Sequence, residues 1–156
     1  VPQPPSCSLE TKLRLLNCYI RSILTYQTWT MTTREQNRLE AAEMWFLRRM
    51  LRIPWSDLVQ MEVLERAGTQ KTLLTTIKER QSNFFSHIMR KGKLEHLATT
   101  GKLNGKKGRG RPRTSLVDNL RRWLAPNINT AQLIQHTNDR ELWHQMVADA
   151  RIEHGT

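Results

Sequence analysis

Apolar residues recur at helical intervals along most of the chain. Between Leu9 and Tyr26, Leu13, Leu16, Tyr19, Ile20, Ile23 and Leu24 fall on one broad face, with Lys12, Arg14 and Arg21 opposite, which predicts a first helix. Thr32 and Thr33 are placed to cap a second, with Glu35 and Gln36 at capping-box spacing; Leu39, Ala42, Trp45, Phe46 and Met50 follow until Pro54 ends the pattern. Leu58–Ala67 reads as a short helix stopped by Gly68, and Lys71–Lys91 as a long one stopped by Gly92. The long helix is expected to bury Leu74, Ile77, Phe84, Phe85 and Ile88 and to turn Lys78, Arg80, His87 and Arg90 outward.

The periodicity fails from Gly101 to Arg113, GKLNGKKGRGRPR, and resumes after it. Ser115 caps a helix that displays Leu116, Leu120, Trp123 and Leu124 and is closed by Pro126. Thr130–His136 has room for one or two turns, and Asn138 with Glu141 starts a last helix carrying Leu142, Trp143, Met146, Val147 and Ala150. No segment alternates with period two, so the expected class is all-α. Its parts are a disordered lead at 1–8, a helical bundle at 9–100, a flexible basic linker at 101–114 and a small helical unit at 115–156. Trp45, Trp123 and Trp143 lie in apolar stripes and read as core. Trp29 and Trp55 stand near turns and are candidate platforms for stacked bases.

An apolar fraction of 38% in 156 residues supports a real core, and a formal charge of +11 calls for an anionic partner, a phosphate backbone or a membrane surface. The excess is local. Up to Gln70, nine basic residues nearly balance seven acidic ones; from Lys71 to Ala125 the ratio is fourteen to three, and beyond it acids lead four to two. Cys7 and Cys18 show neither CxxC nor zinc-finger spacing, so no disulfide framework is expected and a reducing compartment is the simpler setting. No apolar run approaches a membrane span of about 20 residues and VPQPPS lacks the regions of a signal peptide, so the expectation is a soluble intracellular protein of nucleus or cytoplasm. A first residue of Val rather than Met fits a piece of a longer chain.

Catalytic chemistry finds little to stand on. There is no GxxxxGK[ST], HExxH or GxSxG, and no Asp-Asp pair of the kind that holds two metal ions in polymerases. His87, His96, His136, His144 and His154 are scattered and read as surface or half-buried residues, and Asp149, Glu153 and His154 as ordinary surface charges. The chain is expected to be no enzyme on its own and to carry no cofactor.

The segment from Lys102 to Arg113 is different because its composition serves no core. It combines four glycines from Gly101 onward, one proline and the six cations Lys102, Lys106, Lys107, Arg109, Arg111 and Arg113. Glycines allow close backbone approach, arginines reach phosphates with bidentate forks and lysines add point charges. Neutralising around six phosphates implies a slope of log K against log salt of roughly −5 on duplex DNA, or about −4 on a single strand. Arg109-Gly110-Arg111-Pro112 is similar to the core of an AT-hook, an extended peptide suited to a narrow A/T-rich minor groove. With Arg80, Arg90 and Lys91 on the long helix, these cations form the expected nucleic-acid-binding set, in roles that position a backbone.

Several segments, in order, carry a resemblance: TKLRLLNCYIRSILTY (Thr11–Tyr26), RRMLRIPWSD (Arg48–Asp57), EVLERAG (Glu62–Gly68), HIMRKGKLE (His87–Glu95), GKKGRGRPRTS (Gly105–Ser115) and DRELWHQMVADA (Asp139–Ala150). In this order they resemble the C-terminal part of the endonuclease–reverse transcriptases encoded by LINE-like, non-LTR retrotransposons. The resemblance implies a thumb-like helical bundle followed by a C-terminal extension, with DNA or RNA backbone and the palm domain of the parent polymerase as partners. The parent would use magnesium at paired aspartates upstream; those aspartates and the separate endonuclease domain are not in this sequence. The chain departs from the family at Tyr26–Trp29, which is about two residues shorter than usual, between Asp57 and Glu62, and at Leu116, where Trp is common. Beside this reading stand a stand-alone AT-hook-like DNA binder and a helical interaction module or inert relic.

Overall fold

The computed structural model describes residues 7–25, 30–57, 59–100, 110 and 115–154. These residues form an all-α protein with no strand among them. Most of the linker from 101 to 114, the first six residues of the lead, and Trp29 lie outside the described residues.

The chain divides into two compact units. The first comprises Val1–Tyr26 and Thr33–Leu74, the second Gln27–Thr32 and Thr75–Thr156. The bundle expected at 9–100 is therefore split inside its long helix. The reason lies in side-chain packing: Phe85, Ile88 and Met89 of that helix bury against residues beyond Ser115 rather than among those before Leu74.

In the first unit, α1 (Leu9–Leu15) starts at Ser8, whose Oγ accepts the Thr11 backbone N–H at 3.2 Å. The run continues through a π-helical segment, Leu16–Arg21, into α2 (Ser22–Leu24). Residues per turn change at that segment, so a stripe read at a constant period is split. Leu16 is buried, whereas Tyr19 and Ile23, expected on the same face, are exposed. α3 (Thr33–Leu51) contributes Met44 and Leu47, and α4 (Gln60–Ala67) contributes Val63 and Ala67, to a small core edged by Leu13, Met50, Leu51, Ile53 and Leu64.

Both helices end in the same way. At α4 the backbone N–H of Thr69 reaches Leu64 O and that of Gly68 reaches Glu65 O, with Gly68 at φ 60°. At α3, Ile53 N–H reaches Arg48 O and Arg52 N–H reaches Arg49 O, with Arg52 at φ 58°. These are Schellman motifs, which favour a left-handed residue just past the helix. The end of α3 is thus set at Arg52, ahead of the expected stop at Pro54.

α5 (Leu73–Lys91) begins in the first unit and runs on into the second. The second unit adds α6 (Leu94–Thr100), a helix the periodicity did not predict, then α7 (Leu116–Leu124), α8 (Thr130–His136) and α9 (Arg140–His154). Ser115 Oγ caps α7 at Asp118 N–H, and Asn129 with Gln132 forms a capping box on α8. α9 is capped by Asp139, whose Oδ1 accepts from Glu141 and Leu142 N–H at 3.0 and 3.1 Å, and not by Asn138. The core joins Phe85, Ile88 and Met89 to Val117, Leu120, Trp123, Leu133, Trp143, Val147 and Ala150, with Phe85 and Trp143 rings tilted at 5.9 Å. Trp123 and Trp143 are core residues, as the apolar stripes indicated.

Candidate functional site

α5 sorts its polar residues by depth. Gln81, Ser82 and Ser86 are buried, which periodicity alone did not reveal. Ser82 Oγ donates to Lys78 O and Ser86 Oγ to Asn83 O, so both hydroxyls are satisfied within the helix. Arg80, His87 and Lys91 are exposed, and two of them belong to the expected cationic set. Arg90 differs. It is half-buried, its Nη1 donates to Thr137 O at 2.9 Å and its Nη2 to Ser86 Oγ at 3.3 Å, so its guanidinium ties α5 to the end of α8 instead of facing outward. Lys102, Lys106, Lys107, Arg109, Arg111 and Arg113 lie outside the described residues; Gly110 between them is exposed with φ 152°.

The first unit contains a groove of about 690 Å³ along α3. Trp45 was expected in the core and is 60% exposed. At about 100° per residue it sits roughly 200° round the helix from the buried Leu47, so burying one turns the other to solvent. Its ring meets Phe46 edge to face, with centroids 5.2 Å apart. Trp55 lines the same groove from the turn after α3 and is 77% exposed. That turn is held by Arg48, whose Nη1 donates to Pro54 O at 3.2 Å and Asp57 O at 2.6 Å.

The groove is basic at one end. Arg48 and Arg49 border it, and with Arg52, Ile53 and Pro54 they line an adjoining recess of about 490 Å³. Glu40, a carboxylate on the groove wall, pairs with Lys71 at 3.9 Å. The sequence signal for this surface is RRMLR directly between the two tryptophans, where a helical wheel puts Trp45 opposite Leu47.

Among the described residues no group of three or more His, Cys, Asp or Glu side chains is placed to hold a metal ion. Cys7 and Cys18 are free thiols on the surface. Among the described residues no helix is long and apolar enough to cross a membrane. The chain matches no family model, no curated protein and no solved structure.

Proposed function

We propose that this chain is the thumb and post-thumb region of a retrotransposon reverse transcriptase, and that it grips a primer-template or target duplex through phosphates. It synthesises and cuts nothing by itself; the palm of its parent polymerase would supply the magnesium-dependent chemistry. The observation that carries this reading is the confinement of the charge: fourteen cations against three anions from Lys71 to Ala125, six of them within Lys102–Arg113. The order of sequence segments supports it, and so does an all-helical scaffold on which Arg80 and Lys91 stand exposed.

The test is the salt dependence of binding to duplex DNA and to single-stranded DNA or RNA. Replacing the six loop cations by Gln is expected to flatten a slope of roughly −5 on duplex towards zero, because each lost phosphate contact removes about 0.9. An unchanged slope sinks the proposal. A strong preference for A/T-rich over G/C-rich duplex, lost on Arg111→Ala, would favour the AT-hook reading, and no retention at physiological salt would favour an interaction module.

A further inference from the structure

Two exposed tryptophans share one groove with a run of arginines, and we infer that this groove holds an unpaired nucleotide of a single-stranded nucleic acid. The base stacks on Trp45 or Trp55, and Arg49 and Arg52 hold the phosphate. The inference rests on the nucleic-acid reading above but concerns other residues, all of them in the first unit.

Each element of the groove fits that ligand. Large aromatic rings left in water forfeit the burial that ordinarily places tryptophan inside, and two on one concave surface form a patch of the kind that marks a binding site. Trp45 and Trp55 are 60% and 77% exposed. Phe46 meets the ring of Trp45, and Arg48 holds the backbone around Trp55 through the carbonyls of Pro54 and Asp57. Rings positioned before binding lose less freedom when a base arrives. A volume of about 690 Å³ lies within the range of small-ligand clefts.

The charge identifies the ligand further. Arg48, Arg49 and Arg52 line one recess, so an anion entering it meets several cationic side chains at once. Arg48 is engaged by backbone carbonyls, which leaves the exposed Arg49 and Arg52 as the phosphate contacts. A base offers its π face only when unstacked, which selects a single strand, a bulge or a frayed end over an intact duplex. A proline-rich peptide also docks on flat aromatics but brings no phosphate for the arginines.

The experiment compares the full chain on oligothymidylate and on an abasic strand of equal length across a salt series. Tryptophan fluorescence reports stacking, and anisotropy of a labelled strand reports affinity. The unmodified chain is expected to prefer oligothymidylate by about tenfold. Trp45→Leu with Trp55→Leu removes that preference and leaves the salt slope unchanged, while Arg49→Gln with Arg52→Gln lowers the slope by about 1.4 and keeps the preference. Circular dichroism checks that the helices persist, and single replacement of Trp55, which lies outside any helix, serves if the double variant loses them. Equal affinity for the two strands overturns the inference while a steep common slope leaves the nucleic-acid reading intact. Failure to bind either strand overturns the inference, and retention of duplex DNA in the same salt series shows that the nucleic-acid reading survives it. Quenching by a proline-rich peptide but not by oligothymidylate assigns the groove to a protein ligand and also overturns it.

Discussion

The carboxylate of Glu43 accepts the backbone N–H of Leu73 at 3.2 Å, thirty positions further along the chain. The same carboxylate accepts from Thr72 N–H at 3.3 Å and forms an ion pair with Arg21, whose Nη2 also donates to Thr72 Oγ1 at 2.8 Å. A buried glutamate in the middle of α3 therefore closes the first turn of α5, where backbone donors have no partner of their own and the helix dipole favours a negative charge. With Glu43 only 4% exposed, its charge is compensated by Arg21 and these amides rather than by water.

Glu43→Ala removes the carboxylate partner of Arg21 and of two amides at once. It is expected to cost about 3 kcal/mol, at the lower end for a buried pair because Arg21 keeps some contact with water. Urea unfolding measures the loss, and amide exchange at Thr72 and Leu73 should quicken beyond the global effect. A loss below about 0.5 kcal/mol, the scale of an ordinary surface substitution, would show that the capping contributes little.

The paired helix ends at Arg52 and Gly68 allow a reciprocal test. Arg52→Gly is expected to raise stability by about 1 kcal/mol and Gly68→Ala to lower it by about the same, since only glycine takes a left-handed φ without strain. A Cβ added at Gly68 meets no atom within 4 Å, so its cost is conformational alone. Opposite shifts in the urea midpoint, at equal m-values, are the expected readout.

Arg90→Met should act on stability and not on nucleic-acid affinity. Losing the donor to Thr137 O is expected to cost about 2 kcal/mol, the value of a hydrogen bond from a charged group. Thr137 is fully buried, so water cannot replace that donor freely. The salt slope of binding should not move; a fall of about 0.9 would mean that Arg90 meets a phosphate after all.

The last helix distinguishes two neighbouring caps. Asp139→Ala is expected to cost about 1 kcal/mol and Asn138→Ala less than about 0.5, because only Asp139 accepts from the first turn of α9. Thermal unfolding monitored at 222 nm separates the two.

The helices of the second unit other than α6, and its core, were legible because Trp123, Trp143, Val147 and Ala150 sit on clean 3.6-residue stripes. Two kinds of feature escaped. Trp45 looked like core because it falls at helical spacing from Leu39 and Ala42, and only the relative angle to Leu47 shows it pointing away. Arg90 was expected to face outward and Glu43 drew no expectation, because their partners lie far along the chain, at Thr137 and Leu73, and local periodicity carries nothing about them. The excess of positive charge from Lys71 to Ala125 is legible as composition, since charge density needs no fold to be counted.

The grouping of Met31 with the second unit bears on how the molecule is made. Its carbonyl accepts from Asn119 Nδ2 at 3.0 Å, eighty-eight positions later, and the core beneath Asn119 closes only with Trp143, Val147 and Ala150. On the ribosome the segments of the first unit are complete once Leu74 has emerged, whereas those of the second must wait for Ala150. Phe85, Ile88 and Met89 are thus synthesised well before the residues that cover them, and during this interval of translation the nascent chain exposes these apolar side chains to chaperones or to other copies of itself.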